Sequence, residues 1–98
     1  MIEYHIKKEV IDGVKEWVWP NKDLNSMDGG LWEGPKNEWK RHKELIEEHV
    51  PQKRIIVQAG GACGMYPRLL SNMFDCVYTF EPHPENFFFL NQNAYHTN

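Results

Sequence analysis

Hydrophobic spacing changes character twice along the chain. Up to residue 20, apolar and polar positions alternate only in part. EYHIKKEVI and VKEWVW flank Asp12-Gly13, and Asp-Gly suits a two-residue type I′ turn, so a β-hairpin is predicted over residues 3–19. Pro20 closes its second strand, because proline has no N–H for a ladder. Residues 20–34, PNKDLNSMDGGLWEG, carry turn formers without periodicity and predict a long surface loop anchored by Leu31 and Trp32. From Pro35, well placed as a first helical residue, the spacing becomes helical. Trp39, His42, Leu45, Ile46, His49 and Val50 share one stripe of a helix that Pro51 stops. Its two histidines are expected as boundary residues rather than ligands.

The second change comes at residue 54. Ile55, Ile56 and Val57 are consecutive apolar positions, the pattern of a parallel strand covered on both faces, which predicts a buried strand over 54–59. A helix over 65–73 follows, with Met65, Leu69, Leu70 and Met73 inward. A strand over 76–81 is next, then a helix over 84–95 with Pro84 near its start and Phe87, Phe88, Leu90 and Ala94 among its apolar positions. No internal repeat or low-complexity tract interrupts this order. The fold class expected is therefore α/β: an N-terminal hairpin and loop (1–34), then a helix and a β–loop–α–β–α unit (35–98).

Ninety-eight residues limit the chain to one domain at most. A formal net charge of −3 disfavours a nucleic-acid partner. No apolar run approaches the roughly 18 residues of a membrane span, and the N-terminus lacks the apolar core of a secretory signal, so a cytoplasmic protein is expected. Cys63 and Cys76 are then expected as reduced thiols. The five histidines show no metal-ligand spacing, and no metal is expected. Trp17, Trp19, Trp32 and Trp39 crowd the first forty residues. They are expected in the core, the alternative being a docking face for a partner.

The chemistry-bearing stretch is RIIVQAGGACGMYPRLLSNMFDCVYTFEP, residues 54–82. A strand runs into a glycine loop (Gly60, Gly61, Gly64), and the next strand ends on a carboxylate, Glu81. That arrangement holds nucleoside cofactors at the carboxyl ends of parallel strands. Gly60 permits a sharp turn and close ligand approach, and Glu81 is placed to accept hydrogen bonds from a ribose diol. A dinucleotide loop requires G-x-G-x-x-G. Counting from Gly60, its second and third glycines fall on Ala62 and Met65. The loop therefore suits a cofactor without pyrophosphate, and S-adenosylmethionine is the candidate.

The same residues carry a family resemblance. Gln58-Ala59-Gly60-Gly61-Ala62-Cys63-Gly64-Met65-Tyr66, then Phe80-Glu81-Pro82-His83-Pro84-Glu85-Asn86-Phe87 with Leu90 and Asn93, resemble the FkbM-type branch of S-adenosylmethionine-dependent methyltransferases. Residues 56–93 carry the likeness. It implies the first half of a Rossmann-like domain, methyl transfer to a hydroxyl of a small molecule or glycan, and cofactor contacts from Gln58, Ala59, Gly60, Gly61, Gly64, Glu81 and Pro82. Tyr66 either lines the pocket or packs at the helix start. Two positions depart from the family: Gln58 replaces an acid and Ala62 an asparagine.

No catalytic base is identified; His83 is expected as an exposed residue at a helix start. In the implied fold, later strands complete the site and flank the first strand, so the chain is expected to be the N-terminal part of a longer protein. The hairpin covering the open strand edge is the alternative. Two other functions stand beside methyl transfer: a nucleotide-dependent oxidoreductase with a degenerate loop, and a non-catalytic module binding S-adenosylmethionine or a partner.

Overall fold

The computed structural model describes residues 2–25 and 30–95. It is a mixed α/β structure with two small sheets. Strands β1 (Tyr4–Lys7) and β2 (Trp17–Pro20) are antiparallel, with Tyr4 opposite Pro20 and Lys7 opposite Trp17. A 3-10 turn, Asn21–Asn25, leads toward helix α1 (Gly30–His49). Strand β3 (Ile55–Ala59), helix α2 (Met65–Leu70), strand β4 (Cys76–Phe80) and helix α3 (Pro84–Ala94) complete the order, with β3 and β4 parallel.

The hairpin turns where Asp-Gly dictates. Asp12 and Gly13 both have positive φ, 48° and 79°, as a type I′ turn requires. Ile11 and Val14 exchange both backbone hydrogen bonds across it, at 3.0 and 2.8 Å. Between this bridge and the β1–β2 ladder the register slips by one residue. The extra residue lies in segment 8–10, three residues facing Lys15 and Glu16, and Glu16 opposite it takes φ 65°. Arg68 steadies that bend by donating to the carbonyls of Glu16 (3.1 Å) and Lys15 (3.3 Å) while lying 4.7 Å above the Trp17 ring.

Helix α1 begins five residues before Pro35, so Leu31 and Trp32 are helical rather than loop anchors. The cause is not local. Asp23 accepts a hydrogen bond from the Leu31 N–H at 2.8 Å, and from Trp19 Nε1 at 2.9 Å. A carboxylate from the preceding turn thus serves the first turn of the helix, where free N–H groups and the helix dipole favour an anion. Residues 26–29 of the expected loop lie outside the described residues.

All four tryptophans are buried, joining Ile11, Cys63, Met65, Leu69, Leu70, Phe74 and Phe89 in one cluster. They are core, not a docking face. Trp17 and Trp19 each meet Trp32 edge-on, with ring centroids 5.6 and 4.9 Å apart. The cluster draws on the hairpin, α1, α2 and α3 together.

The parallel pair departs from expectation. β3 and β4 are each covered on one face only. Ile55, Val57, Tyr78 and Phe80 are 58%, 67%, 54% and 62% exposed. The consecutive apolar run of β3 is therefore not buried on both sides. α2 packs against β4, and among the described residues no element covers the opposite face. The hairpin forms its own sheet and does not extend the β3 edge. Among the described residues, no helix is long and apolar enough to cross a membrane.

Candidate functional site

The chain leaves β3 through a loop wired almost entirely to β4. The N–H groups of Gly60 and Gly61 both donate to the Phe80 carbonyl, at 2.8 and 3.1 Å. The Ala62 N–H donates to Glu81 Oε1 at 2.8 Å, and the Gly64 N–H to the Gly61 carbonyl at 2.9 Å. Gln58 braces the loop from below. Its Nε2 donates to the carbonyls of Ala59 and Gly60, and its Oε1 accepts from the Thr79 hydroxyl at 2.6 Å. The amide thus spends its bonds on the loop and β4.

The loop glycines serve different ends. Gly60 has φ 75°, and a Cβ there would meet no protein atom within 4 Å: the position is required by conformation and faces open space. Gly64 has φ 95°, and a Cβ there would stand 3.0 Å from the Leu90 Cα and 3.2 Å from the Leu90 carbonyl oxygen. Its missing side chain lets α3 lie against the start of α2. A Cβ at Gly61 would overlap the Leu90 side chain, so that glycine also serves packing. Ala62 is held at φ 49°, a conformation that disfavours side chains other than asparagine or aspartate.

Glu81 closes the arrangement from the end of β4. Besides holding Ala62 it accepts the His83 N–H at Oε2, 3.0 Å. Each oxygen of an ionised carboxylate has a second lone pair, so acceptor capacity is left. His83 is exposed and caps α3, its Nδ1 accepting the Asn86 N–H at 3.3 Å. Ala59 and Pro82 are exposed at the two strand ends.

Above the loop lies a cavity of about 390 Å³, within the range of small-molecule sites. Gln58, Gly60, Gly61 and Tyr66, among the residues singled out from the sequence, line it; Ala59, Gly64, Glu81 and Pro82 do not. Cys63 also lines it, but burial pushes its thiol up to about 12, so it is no thiolate nucleophile at neutral pH. The opposite wall is α1, through Leu31, Pro35, Glu38 and His42. Spacing of three or four residues puts these on one helical stripe. Tyr66 joins the walls. Its hydroxyl donates to the Pro35 carbonyl at 2.8 Å, and its ring meets Trp39 and His42 edge-on. It therefore both lines the cavity and packs at the start of α2. Burial raises its phenol above the ordinary value.

Sequence reasoning missed the α1 wall. Its signal is a stripe, 31–35–38–42, that meets the expected Trp39 stripe at His42. Only the docking of α1 on α2 tells which stripe meets the loop. The cavity lining contains no lysine or arginine. Among the described residues no cluster of histidine, cysteine, aspartate or glutamate is placed to hold a metal ion.

Compared with family models, curated proteins and solved structures, the chain matches none.

Proposed function

We propose that this chain is the cofactor grip of an S-adenosylmethionine-dependent methyltransferase, with β3, α2, β4 and α3 forming the first half of a Rossmann-like unit. The observation that carries this reading is the wiring of the loop. The N–H groups of Gly60, Gly61, Ala62 and Gly64 all donate to protein acceptors. A pyrophosphate would need such groups directed at its oxygens. The cavity also lacks a lysine or arginine to balance phosphate charge. Both features fit a nucleoside cofactor without phosphate and disfavour a dinucleotide.

In this reading the adenosine lies above Gly60, where no side chain intrudes. Glu81, outside the cavity lining at the end of β4, would receive the ribose diol with its remaining lone pairs, and α1 would face the tail of the cofactor. Bound there, S-adenosylmethionine supplies an electrophilic methyl group on a sulfonium. The residues of this chain hold and orient it, which is the protein's main share of such a displacement. The acceptor class is a hydroxyl on a small molecule or glycan, and no base for it is assigned.

Titration of the purified chain with S-adenosylmethionine, S-adenosylhomocysteine and NADH tests the reading, with calorimetry and tryptophan fluorescence as readouts. Trp19 borders the cavity, so occupancy is expected to change its emission. Binding of both methyl-cycle ligands without NADH supports the proposal. Binding of NADH alone overturns it in favour of an oxidoreductase, and silence toward all three removes the cofactor site.

A further inference from the structure

The cavity has one ionisable carboxylate in its lining, and it comes from the wall the glycine loop does not build. Glu38 sits on α1 one helical turn before His42, across from Gln58, Gly60 and Gly61. At the loop's own head, Gln58 is neutral and its amide is bonded to Ala59, Gly60 and Thr79. Within the cavity lining the loop side therefore contributes no carboxylate, since Glu81 lies outside that lining.

Glu38 is charged at neutral pH, since the Arg41 guanidinium beside it holds its carboxyl below the usual range. Both Arg41 contacts, from Nε at 2.9 Å and Nη2 at 2.7 Å, fall on the same oxygen, Oε2. Oε1 keeps acceptor capacity. Arg41 itself is not part of the lining, and Lys36 is drawn away to Glu9 and Glu33, at 2.9 and 3.1 Å. Glu38 is exposed at the cavity wall and shares its charge with Arg41, but no lysine or arginine stands in the lining itself, so its open oxygen favours a cationic ligand group.

Resting on the cofactor reading above, we propose that Glu38 is the receptor for the α-ammonium group of the cofactor's amino-acid tail. The contact reaches across the cavity from α1, so the helix ahead of the glycine loop is part of the binding site and sets its preference for a zwitterionic over a neutral tail.

The test compares two probes that share the adenosine and thioether. S-adenosylhomocysteine carries the ammonium; 5′-methylthioadenosine lacks the amino-acid tail. In Glu38→Gln the affinity for S-adenosylhomocysteine is expected to fall about tenfold while that for methylthioadenosine stays unchanged, the loss of one charge-assisted hydrogen bond. Arg41→Gln, which removes the partner and leaves the carboxylate, is expected to bind S-adenosylhomocysteine at least as tightly as the parent. Equal affinities of parent and Glu38→Gln for both probes overturn the assignment and leave the cofactor reading standing. Equal losses for both probes also overturn it, making Glu38 a structural residue. If the parent binds neither probe, the cofactor reading itself fails.

Discussion

The side-chain amide of Asn93 pairs with the whole peptide face of Val18: Oδ1 accepts the Val18 N–H at 2.8 Å, and Nδ2 donates to the Val18 carbonyl at 2.8 Å. Asn93 thus stands where a neighbouring strand would stand beside β2. The same Nδ2 donates to the Cys63 carbonyl at 2.7 Å. One buried amide on α3 therefore ties the N-terminal hairpin to the glycine loop, across 75 positions of sequence in one direction and 30 in the other.

Replacing Asn93 by alanine leaves a buried N–H and two carbonyls without these partners. Loss of stability of about 2–4 kcal/mol is expected, from the penalty for unsatisfied buried groups. Urea denaturation measures it. Asn93→Asp should cost at least as much, because a carboxylate cannot donate to either carbonyl. If Asn93→Ala unfolds at the parent's midpoint, the hairpin is not held by this amide.

Gly60 and Gly64 separate a conformational glycine from a packing one. Gly60→Ala meets only the left-handed backbone penalty, about 1–2 kcal/mol. Gly64→Ala meets the same penalty and also presses on the Leu90 backbone, which cannot rotate away, so a cost larger by about 1–3 kcal/mol is expected. Thermal melts of the two variants should rank them in that order. The reverse order would mean that α3 does not lie against Gly64.

What could be read beforehand follows from the range of the forces involved. The Asp12-Gly13 turn and the order strand, glycine loop, helix, strand depend on local backbone preference, and local spacing states them. The start of α1 at Gly30 depends on Asp23 reaching the Leu31 N–H from the preceding turn, which no window around Pro35 contains. Glu38 and His42 face the loop only because Tyr66 wedges against α1. The bare face of β3 is equally invisible: Ile55-Ile56-Val57 specifies a strand that favours burial on both sides, but burial needs elements to supply it.

Asp12 gives the hairpin a pH dependence. Its carboxylate accepts Trp39 Nε1 at 2.7 Å and pairs with Lys43 at 3.0 Å. The bond from Trp39, followed by Lys43, holds its pKa below the ordinary value of 3.8. A group depressed on folding stabilises the fold fully above its unfolded value. That contribution is lost as pH falls below about 3.8 and through the lower folded value. Denaturant midpoints should therefore fall at the acid end, and Asp12→Asn should flatten that limb. The carboxylate is partly exposed, so the variant should cost less than about 1 kcal/mol at neutral pH. An unchanged acid limb would remove Asp12 as its source.

The exposed side of the parallel pair predicts tolerance where the sequence pattern forbids it. Val57→Thr and Phe80→Lys alter side chains that no element covers among the described residues, so stability should change by less than about 1 kcal/mol. Binding of a hydrophobic dye and any self-association should decrease, since Ile55, Val57, Tyr78 and Phe80 form a continuous apolar strip. The same substitutions in a strand buried on both faces would cost several times more. A large loss of stability in Val57→Thr would mean that the face is covered in solution.

Glu81 is asked to do two things, and a pair of measurements separates them. Its bonds to the N–H groups of Ala62 and His83 hold the loop, so Glu81→Ala should lower stability by about 1–3 kcal/mol. Its proposed contact with a ribose diol should weaken binding of S-adenosylmethionine by a further amount, about 2 kcal/mol for a hydrogen-bonded charged group. A 2′,3′-dideoxy analogue of methylthioadenosine isolates that second part. The parent should prefer the diol form and Glu81→Ala should bind both forms alike. If the variant keeps the preference, Glu81 is a brace for Ala62 in its left-handed conformation and the diol lies away from it.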